Sequence, residues 1–198
     1  MNKFLLKENF SSINLYNKLA LLTECETSKI YLGIEWIIEN YPEAVIIGGT
    51  AVVNFLDGGR DLTPDLDIMV DSIDVVKQRL DKDNTQYKII SVGGGNLGIT
   101  VDKFNADFLD SNAGNIYLNK LVLKTFKTTI IGGKKLRVIT PELLTILKIE
   151  LGRDKDIDDG LALIASKKLN KEIYLQFVND FENKLHEYQA LISYTKII

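Results

Sequence analysis

Two aspartates separated by a single leucine, in the segment DLDIMV over residues 65–70, constrain this chain more than any other feature. The apolar run predicts a strand, and side chains on a strand alternate between its two faces. Asp65 and Asp67 therefore point to one side while Leu66 points into the core. Two carboxylates about 4 Å apart repel by roughly 4 kcal/mol at an effective dielectric near 20. Such a pair is typical of a solvated strand face or of a cleft in which a divalent cation offsets the repulsion.

A glycine-rich turn before this strand favours the second interpretation. The apolar segment 44–47 predicts a short buried strand, which Gly48-Gly49-Thr50 follows, and an apolar helix is expected over 51–56. A glycine turn that leads from a strand into a helix exposes backbone N–H groups to a phosphate. Glycine also lets a phosphate approach the backbone closely. The two motifs in this order indicate a site for a metal ion and a phosphate.

A third carboxylate is expected from a neighbouring strand over Phe104–Asp110. Alternation places the two phenylalanines and the alanine on one face and Asn105 with Asp107 on the other. Asp107 lies in the middle of the strand, where a buried carboxylate without a partner is costly. Asp110 lies at the strand end, which is typical of a turn residue. We therefore select Asp107.

Strand and helix patterns alternate up to about residue 140, and only helical patterns follow. This arrangement predicts an α+β fold, with a core over residues 1–140 and a helical segment over 141–198. The glycine-rich turn at 93–96 is expected to join two strands of a hairpin rather than to bind phosphate. The expected strands cover 87–92, 97–101, 126–131 and 136–139, and the expected helices cover 11–40, 72–82, 141–151, 154–168 and 171–193.

The composition excludes several kinds of chemistry. One cysteine, Cys25, rules out an intrachain disulfide and a multi-thiolate metal site, and one histidine, His186, rules out a multi-histidine metal site. The net charge of −3 gives no general attraction to nucleic acid. The start of the chain lacks the layout of a signal peptide, and the charge-free stretches are too short to span a bilayer. We therefore expect a cytoplasmic protein that does not bind membranes.

Four segments in order resemble the nucleotidyltransferase superfamily, whose fold is shared by polymerase beta and the CCA-adding enzymes. They are IIGGTAVVNFL, GRDLTPDLDIMV, ADFLDSNAG and VITPELLTILKIELGRDKDIDDGLALI, which lie between about residues 46 and 164. The chain is most similar to the AbiEii-type branch, the nucleotidyltransferase toxins of abortive-infection and toxin–antitoxin systems. The resemblance implies a nucleotidyltransferase-like mixed sheet with flanking helices.

The resemblance also implies a reaction and its residues. Asp65 and Asp67 would ligate two Mg²⁺ ions, and Asp107 would share in the metal site and help to activate the attacking hydroxyl. Gly48-Gly49-Thr50 would hold the β- and γ-phosphates of a nucleoside triphosphate, ATP or CTP. The α-phosphate would be attacked in line and pyrophosphate released.

Three cations are further candidates for nucleotide binding. Lys148 lies in an otherwise apolar helix, where a lysine needs a partner, a functional contact or a path to the surface. The resemblance implies a phosphate or carboxylate contact for it in the cleft. Lys155 and Asp156 belong to the charged run RDKDIDD, and they either contact the nucleotide or help to close the cleft, or they form a solvated face. Arg60 is either a phosphate ligand or a surface arginine.

The acceptor remains open between a tRNA end, a protein hydroxyl and a small molecule. A tRNA would suit the basic strip around the expected hairpin at 126–139, and a cationic small molecule would suit an acidic pocket. The strip consists of Lys120, Lys124, Lys127, Lys134, Lys135 and Arg137, and the acids are Asp154, Asp156, Asp158 and Asp159.

An alternative is a catalytically silent nucleotide-binding or regulatory member of the same fold. The toxin–antitoxin resemblance implies a cognate antitoxin as partner. A homodimer is the other candidate assembly, because Val178, Leu185 and Ile192 follow a heptad spacing that fits either a core-facing helix or a dimer seam.

Overall fold

The computed structural model describes residues 24–56, 65–83, 85–101, 103–131 and 134–196. These residues form an α+β fold with a seven-stranded mixed sheet, as expected. In chain order the elements are α1 (Glu24–Asn40), β1 (Val45–Ile46), α2 (Gly48–Phe55), β2 (Asp65–Val70), α3 (Ile73–Lys82), β3 (Tyr87–Gly93), β4 (Asn96–Val101), β5 (Phe104–Asp110), α4 (Ile116–Lys124), β6 (Phe126–Ile131), β7 (Lys134–Ile139), α5 (Pro141–Leu151), α6 (Asp154–Ala165), α7 (Lys171–Asp180), a short 3₁₀ helix (Glu182–Lys184) and α8 (Tyr188–Tyr194).

The sheet places the strand with the two aspartates at its centre. The strand order is β3-β4-β5-β2-β1-β7-β6, in which β2 runs parallel to β5 and β1 runs parallel to β7. The other neighbours are antiparallel. Because β2 is hydrogen-bonded to a neighbouring strand along each of its two edges, its backbone is fixed. Its aspartates are therefore held in register with the residues of β5.

One face of the sheet packs against α1. Ile30, Ile34 and Ile37 on this helix are almost fully buried, as the helical spacing predicts. A methyl group at Gly33 would lie 2.6 Å from the Leu66 side chain, so the helix passes very close to β2. This packing directs Leu66 into the core and leaves Asp65 and Asp67 on the opposite face.

The opposite face is covered in part by α5. Thr140 caps this helix by accepting a hydrogen bond from the Leu143 N–H, and Pro141 begins it, as predicted. Gly152 ends it in the left-handed conformation, with φ of +67°. Every residue from Pro141 to Ile149 is buried, because α5 packs against α2 and α6. Its lysine, Lys148, is therefore held inside the molecule.

Three expectations about helices need correction. The helix after the glycine turn begins at Gly48 itself, not after Thr50. Residues 116–124 form a helix that the sequence analysis left out, capped by Asn115. The single helix expected over 171–193 is divided into α7, the 3₁₀ helix and α8.

The division of that last helix removes the heptad seam. Val178 lies on α7 and Leu185 in the connection that follows the 3₁₀ helix, and both are buried in the core of the chain itself, which agrees with the core-facing alternative for these two residues. Of the helix expected over 11–40, only the part from Glu24 lies within the described residues. No helix in the described part of the chain has the length and apolar character that crossing a membrane requires.

Candidate active site

The register of β2 and β5 brings three carboxylates to one face of the sheet. Asp67 lies opposite Asp107, and Asp65 lies opposite Asn105. Paired residues on neighbouring strands share a face, so all four side chains point to the same side. Leu66 and Phe108 on the other face are completely buried. The structure thus brings together the three predicted aspartates, and the two strands hold them at adjacent positions.

Asp67 lies directly over the glycine turn. The Gly49 N–H donates to Asp67 Oδ2 at 3.0 Å, at the beginning of α2. Ile47, which precedes the helix, has no side chain that caps it, so Asp67 satisfies one of the free N–H groups there. Gly48 has φ of +58°, and a methyl group on it would lie 1.9 Å from Asp67 Oδ2. Glycine at position 48 is therefore required by the backbone conformation and by the carboxylate.

Burial raises the pKa of Asp67 above the usual carboxyl value. The hydrogen bond from Gly49 and the positive charge of Lys148 act in the opposite direction, and the charge of Asp65 adds to the increase. Burial also raises the pKa of Asp107, and the charges of Asp67 and Asp65 raise it further. The three carboxylates therefore repel one another in the absence of a cation.

Asp65 is oriented by a short chain of hydrogen bonds that the sequence analysis missed. Asn105 Nδ2 donates to Asp65 Oδ1 at 2.9 Å, and Thr100 Oγ1 donates to Asn105 Oδ1 at 2.9 Å. The two-residue alternation that selected Asp107 also placed Asn105 on this face, so its position was visible in the sequence. Its partner was not, because pairing of β2 with β5 joins residues 40 positions apart.

A cluster of buried charges forms the facing wall. Lys148, 5% exposed, lies 2.6 Å from Asp156 Oδ1 and 3.0 Å from Asp159 Oδ2. Arg153 Nε contacts the other oxygen of Asp156. Burial alone would raise the pKa of Asp156, but the hydrogen bonds from Lys148 and Arg153 outweigh it and hold the pKa below its usual value. Lys148 thus contacts carboxylates, one of the two kinds of partner expected for it.

The other predicted nucleotide-binding residues have different positions. Gly48 and Gly49 line the cleft, and so does Lys155, whose side chain is exposed. Thr50 is 2% exposed and does not line the cleft. Arg60 lies outside the described residues.

The carboxylates and the charged cluster face each other across a cleft of about 550 Å³. Side chains from β2, β5, α5 and the start of α6 line it, together with the start of α2 and parts of β3 and β4. The lining residues are Ile47, Gly48, Gly49, Asp65, Asp67, Ser91, Asn96, Asp107, Leu109, Leu147, Lys148, Leu151, Arg153, Lys155 and Asp156.

The donor set fits a hard divalent cation such as Mg²⁺. Carboxylate oxygens are its preferred protein ligands, and it retains waters and substrate phosphates as the others. Among the residues that the structure describes, no three His, Cys, Asp or Glu side chains form a preassembled metal cage.

The sheet, the glycine turn and the carboxylates define a protein of the nucleotidyltransferase class. Residues 29–190 match the family model described as "Nucleotidyl transferase of unknown function (DUF2204)", and the chain belongs to that family. No curated protein matches the chain. The membership confirms the superfamily predicted from the four sequence segments.

One solved nucleotidyltransferase-like structure has a similar fold. The crystal structure of an antigenic nucleotidyltransferase-like protein from Paracoccidioides brasiliensis has a TM-score of 0.50 and 18% identity, over 88% of this chain and 93% of that one. The Megavirus polyadenylate synthase has a TM-score of 0.49 and 11% identity, over 86% of this chain and 41% of that one. The antibiotic-resistance factor ANT(2'')-Ia has a TM-score of 0.49 and 11% identity, over 94% and 97%. At 18% identity, the similarity to the first of these structures concerns the fold alone.

Replacing Lys148 with methionine is expected to lower the free energy of unfolding by about 3–5 kcal/mol, because Asp156 loses its buried cation. Arg153→Ala is the matched control, since it removes the exposed partner of the same carboxylate and should cost about 1 kcal/mol or less. Equilibrium unfolding in urea measures both differences. Equal stability of the two variants would contradict the assignment of Lys148 as the main counter-charge.

Proposed function

We propose that this chain transfers a nucleoside monophosphate from ATP or CTP to an acceptor hydroxyl, with Mg²⁺ bound by Asp65, Asp67 and Asp107. The observation that carries the proposal is the pairing of Asp67 with Asp107 beside the start of α2, where Gly48 and Gly49 line the same cleft. Burial, together with the charge of neighbouring carboxylates, raises the pKa values of Asp67 and Asp107, so their ionised forms are costly to keep together without a cation. A structural role offers no compensation for that cost.

The charged wall provides the place for the triphosphate. Lys155 and Arg153 are exposed at the cleft, and Lys148 carries a buried positive charge beside it. Cations in a partly dry cleft attract a polyanion strongly. The N–H groups at the start of α2 add a positive dipole end near Asp67.

Each group in the cleft has a defined task in an in-line displacement. Bound Mg²⁺ would supply stabilisation of the entering and leaving oxygens. Asp65 is oriented for ligation by its hydrogen bond from Asn105. Asp107 is exposed to the cleft and accepts the proton of the attacking hydroxyl. Lys148 and Lys155 hold the phosphates that leave as pyrophosphate, and Asp156 keeps Lys148 in place as a positioning residue.

A catalytically silent nucleotide-binding or regulatory member of the fold is the alternative. Such a protein would need the cations and the glycine turn to bind a nucleotide, but it would not need three aspartates on one face of β2 and β5. A toxin–antitoxin role, with a cognate antitoxin as partner and action in the cytoplasm, is part of the proposal on the ground of the resemblance of the sequence to AbiEii-type toxins. A helical unit that begins at residue 141 and a homodimer also stay predictions.

Label transfer tests the proposed reaction. Purified protein is incubated with each α-labelled NTP, Mg²⁺ and a cell extract that supplies small molecules, RNA and protein. We expect acid-stable label on one acceptor with the wild type and none with the Asp65→Ala, Asp67→Ala double variant. Asp158→Ala is the matched control, because Asp158 is exposed and does not line the cleft. Transfer by the double variant at the wild-type rate would contradict the proposal.

Mg²⁺ affinity in the presence of an NTP is expected to fall as the pH is lowered. The raised pKa values of Asp67 and Asp107 mean that protons compete with the metal at a pH above the usual carboxyl range. Ionisation of both groups is complete only above these raised values, so affinity rises with pH through them and then levels. Calorimetric titrations at several pH values measure the dependence. An affinity that does not change between the usual carboxyl range and neutrality would contradict ligation by these two side chains.

A further inference from the structure

The two walls of the cleft differ in charge. Its cations, Lys148, Arg153 and Lys155, all come from α5, α6 and the connection between them. Among the described residues, those that line the wall formed by the sheet include no cation: the charged ones are the three aspartates, and beyond them are Ser91 on β3 and Asn96 on β4. Lys88 on β3 does not line the cleft. A triphosphate bound at the basic wall therefore leaves the sheet wall for a second substrate.

On the sheet wall, a glycine of β4 lies between Ser91 and Asp107. Gly98 lies opposite Asp107 on one side and opposite Ser91 on the other. A methyl group at Gly98 would lie 2.6 Å from Asp107 Oδ1 and 2.5 Å from Ser91 Oγ, so both side chains lean over the glycine from neighbouring strands. A serine hydroxyl and a carboxylate oxygen thus lie close together on the side of Asp107 that faces away from Asp67.

We propose that Ser91, Asn96 and Gly98 form the acceptor subsite, and that it takes the hydroxyl of an uncharged or cationic small molecule. This inference rests on the proposed function. The acceptor oxygen attacks the α-phosphorus of the NTP, the bond from that phosphorus to the pyrophosphate oxygen breaks, and pyrophosphate leaves with the electron pair. The proton of the acceptor hydroxyl passes to Asp107. Ser91 contacts the acceptor and orients it, and it takes no part in the bond changes.

Charge decides against a polyanionic acceptor at this wall. A nucleic acid end carries phosphates next to its hydroxyl, and Mg²⁺ bound by the three carboxylates would offset their charge only at the reacting oxygens. Beyond these carboxylates, Ser91 and Asn96, the described residues that line this wall on β3 and β4, offer the neighbouring phosphates no positive charge. The basic strip offered for tRNA is not beside the subsite: β6 and β7 lie at the edge of the sheet opposite β3. Two of its cations, Lys127 and Arg137, lie over the rings of Phe55 and Phe126.

The volume of the cleft and the burial of two acids on the opposite wall agree with a small acceptor at the sheet. Cavities of roughly 300–1,000 Å³ hold ligands of drug size, so a cleft of about 550 Å³ suits a nucleotide with a small second substrate. Two of the four acids in the run at 154–159, Asp156 and Asp159, are buried in ion pairs with Lys148, so they do not form an acidic pocket for the acceptor. The carboxylate beside Ser91 is that of Asp107 on the sheet, not an acid of α6.

Filling the subsite tests the proposal. Ser91→Phe places an aromatic ring over Gly98, and Val92→Phe is the matched control on the same exposed strand. Val92 is opposite Leu97, which is buried on the other face, so its side chain points away from the cleft. Wild type and variants receive each α-labelled NTP, Mg²⁺ and a cell extract divided into protein, RNA, anionic small molecules and other small molecules. Binding of a fluorescent NTP analogue with Mg²⁺ is measured in parallel.

We expect label in the uncharged and cationic small molecules, a loss of at least about tenfold in Ser91→Phe, and wild-type transfer in Val92→Phe. Analogue binding should be unchanged in both variants. Label in the RNA, protein or anionic fraction would overturn the acceptor class, and full transfer by Ser91→Phe would overturn the subsite. In both of those cases the proposed nucleotidyl transfer stands. The absence of transfer to every fraction would refute both proposals.

Discussion

Asp67→Asn is expected to reduce NMP transfer by about a thousandfold or more, which corresponds to roughly 4 kcal/mol of transition-state stabilisation. Asparagine keeps the shape of the side chain and an oxygen that accepts from the Gly49 N–H, so the glycine turn should not move. What the variant loses is the negative charge that faces the metal ion and the phosphates. Initial rates of label transfer at saturating NTP and Mg²⁺ measure the effect.

The same variant should fold at least as stably as the wild type when Mg²⁺ is absent. Burial raises the pKa of Asp67, so its ionised form disfavours the folded state at a pH above that raised value. This cost disappears as the pH falls below the usual carboxyl pKa, where the folded and unfolded chains are both protonated. Thermal melts at neutral pH, with Asp158→Asn as the surface control, show whether the loss of transfer activity is accompanied by a loss of stability. A destabilised Asp67→Asn chain would indicate a structural role and would undermine the catalytic interpretation of its lost activity.

Gly48→Ala is expected to be strongly destabilising, because two separate costs apply at this left-handed position. A non-glycine residue in that conformation costs about 1–2 kcal/mol by itself. At Gly48 the added methyl group also overlaps Asp67 Oδ2, at 1.9 Å, and the carboxylate is fixed by its strand and by Gly49. We therefore expect a loss of about 3 kcal/mol or more in the free energy of unfolding, and loss of transfer because Asp67 is displaced.

Gly114→Ala isolates the backbone contribution. Gly114 has the same φ of +58°, but no heavy atom lies within 4 Å of the position of its added methyl group. It should lose only the conformational cost and retain transfer activity. Urea unfolding and transfer rates of the two variants give the comparison, and equal losses in both would contradict the close approach of Asp67 to Gly48.

The parts of the fold that local pattern determines were predictable from the sequence. The strand over 65–70 and the capped helix from Ser72 to Lys82 have the bounds that alternation and capping indicate. The hairpin across Gly94 and Gly95 is confirmed for the same reason, because both glycines adopt positive φ angles. The alternation over 104–110 also gave the face on which Asp107 lies.

The parts that depend on distant partners were not predictable in this way. No glycine or proline marks the break between α7 and α8. Glu150 on α5 accepts hydrogen bonds from the N–H groups of His186 and Glu187, and Asn115 donates to the Lys184 carbonyl oxygen, so groups remote in sequence hold this connection. The helix α4 was missed for a different reason. Its cap at Asn115 and its buried pair Leu118 and Val122 are visible in the sequence, but no element was assigned to this segment.

The site was predictable in its residue types but not in its partners. Spacing and alternation identified Asp65, Asp67 and Asp107, which the structure places on one face. They did not indicate that Asp156 and Asp159 enclose Lys148, because α5 and α6 meet only in the folded chain. Nor did they indicate that Ser91 leans over Gly98 toward Asp107, which requires three strands in register.

The most direct test of the metal–nucleotide site is calorimetric binding of each NTP with and without Mg²⁺, for the wild type and for Asp67→Asn. If the three carboxylates hold the metal ion against the triphosphate, at least one NTP should bind the wild type tightly only when Mg²⁺ is present, and the variant should lose that dependence. Binding that is equally tight without Mg²⁺, and unchanged in the variant, would contradict the proposal and would favour a silent nucleotide-binding member of the family.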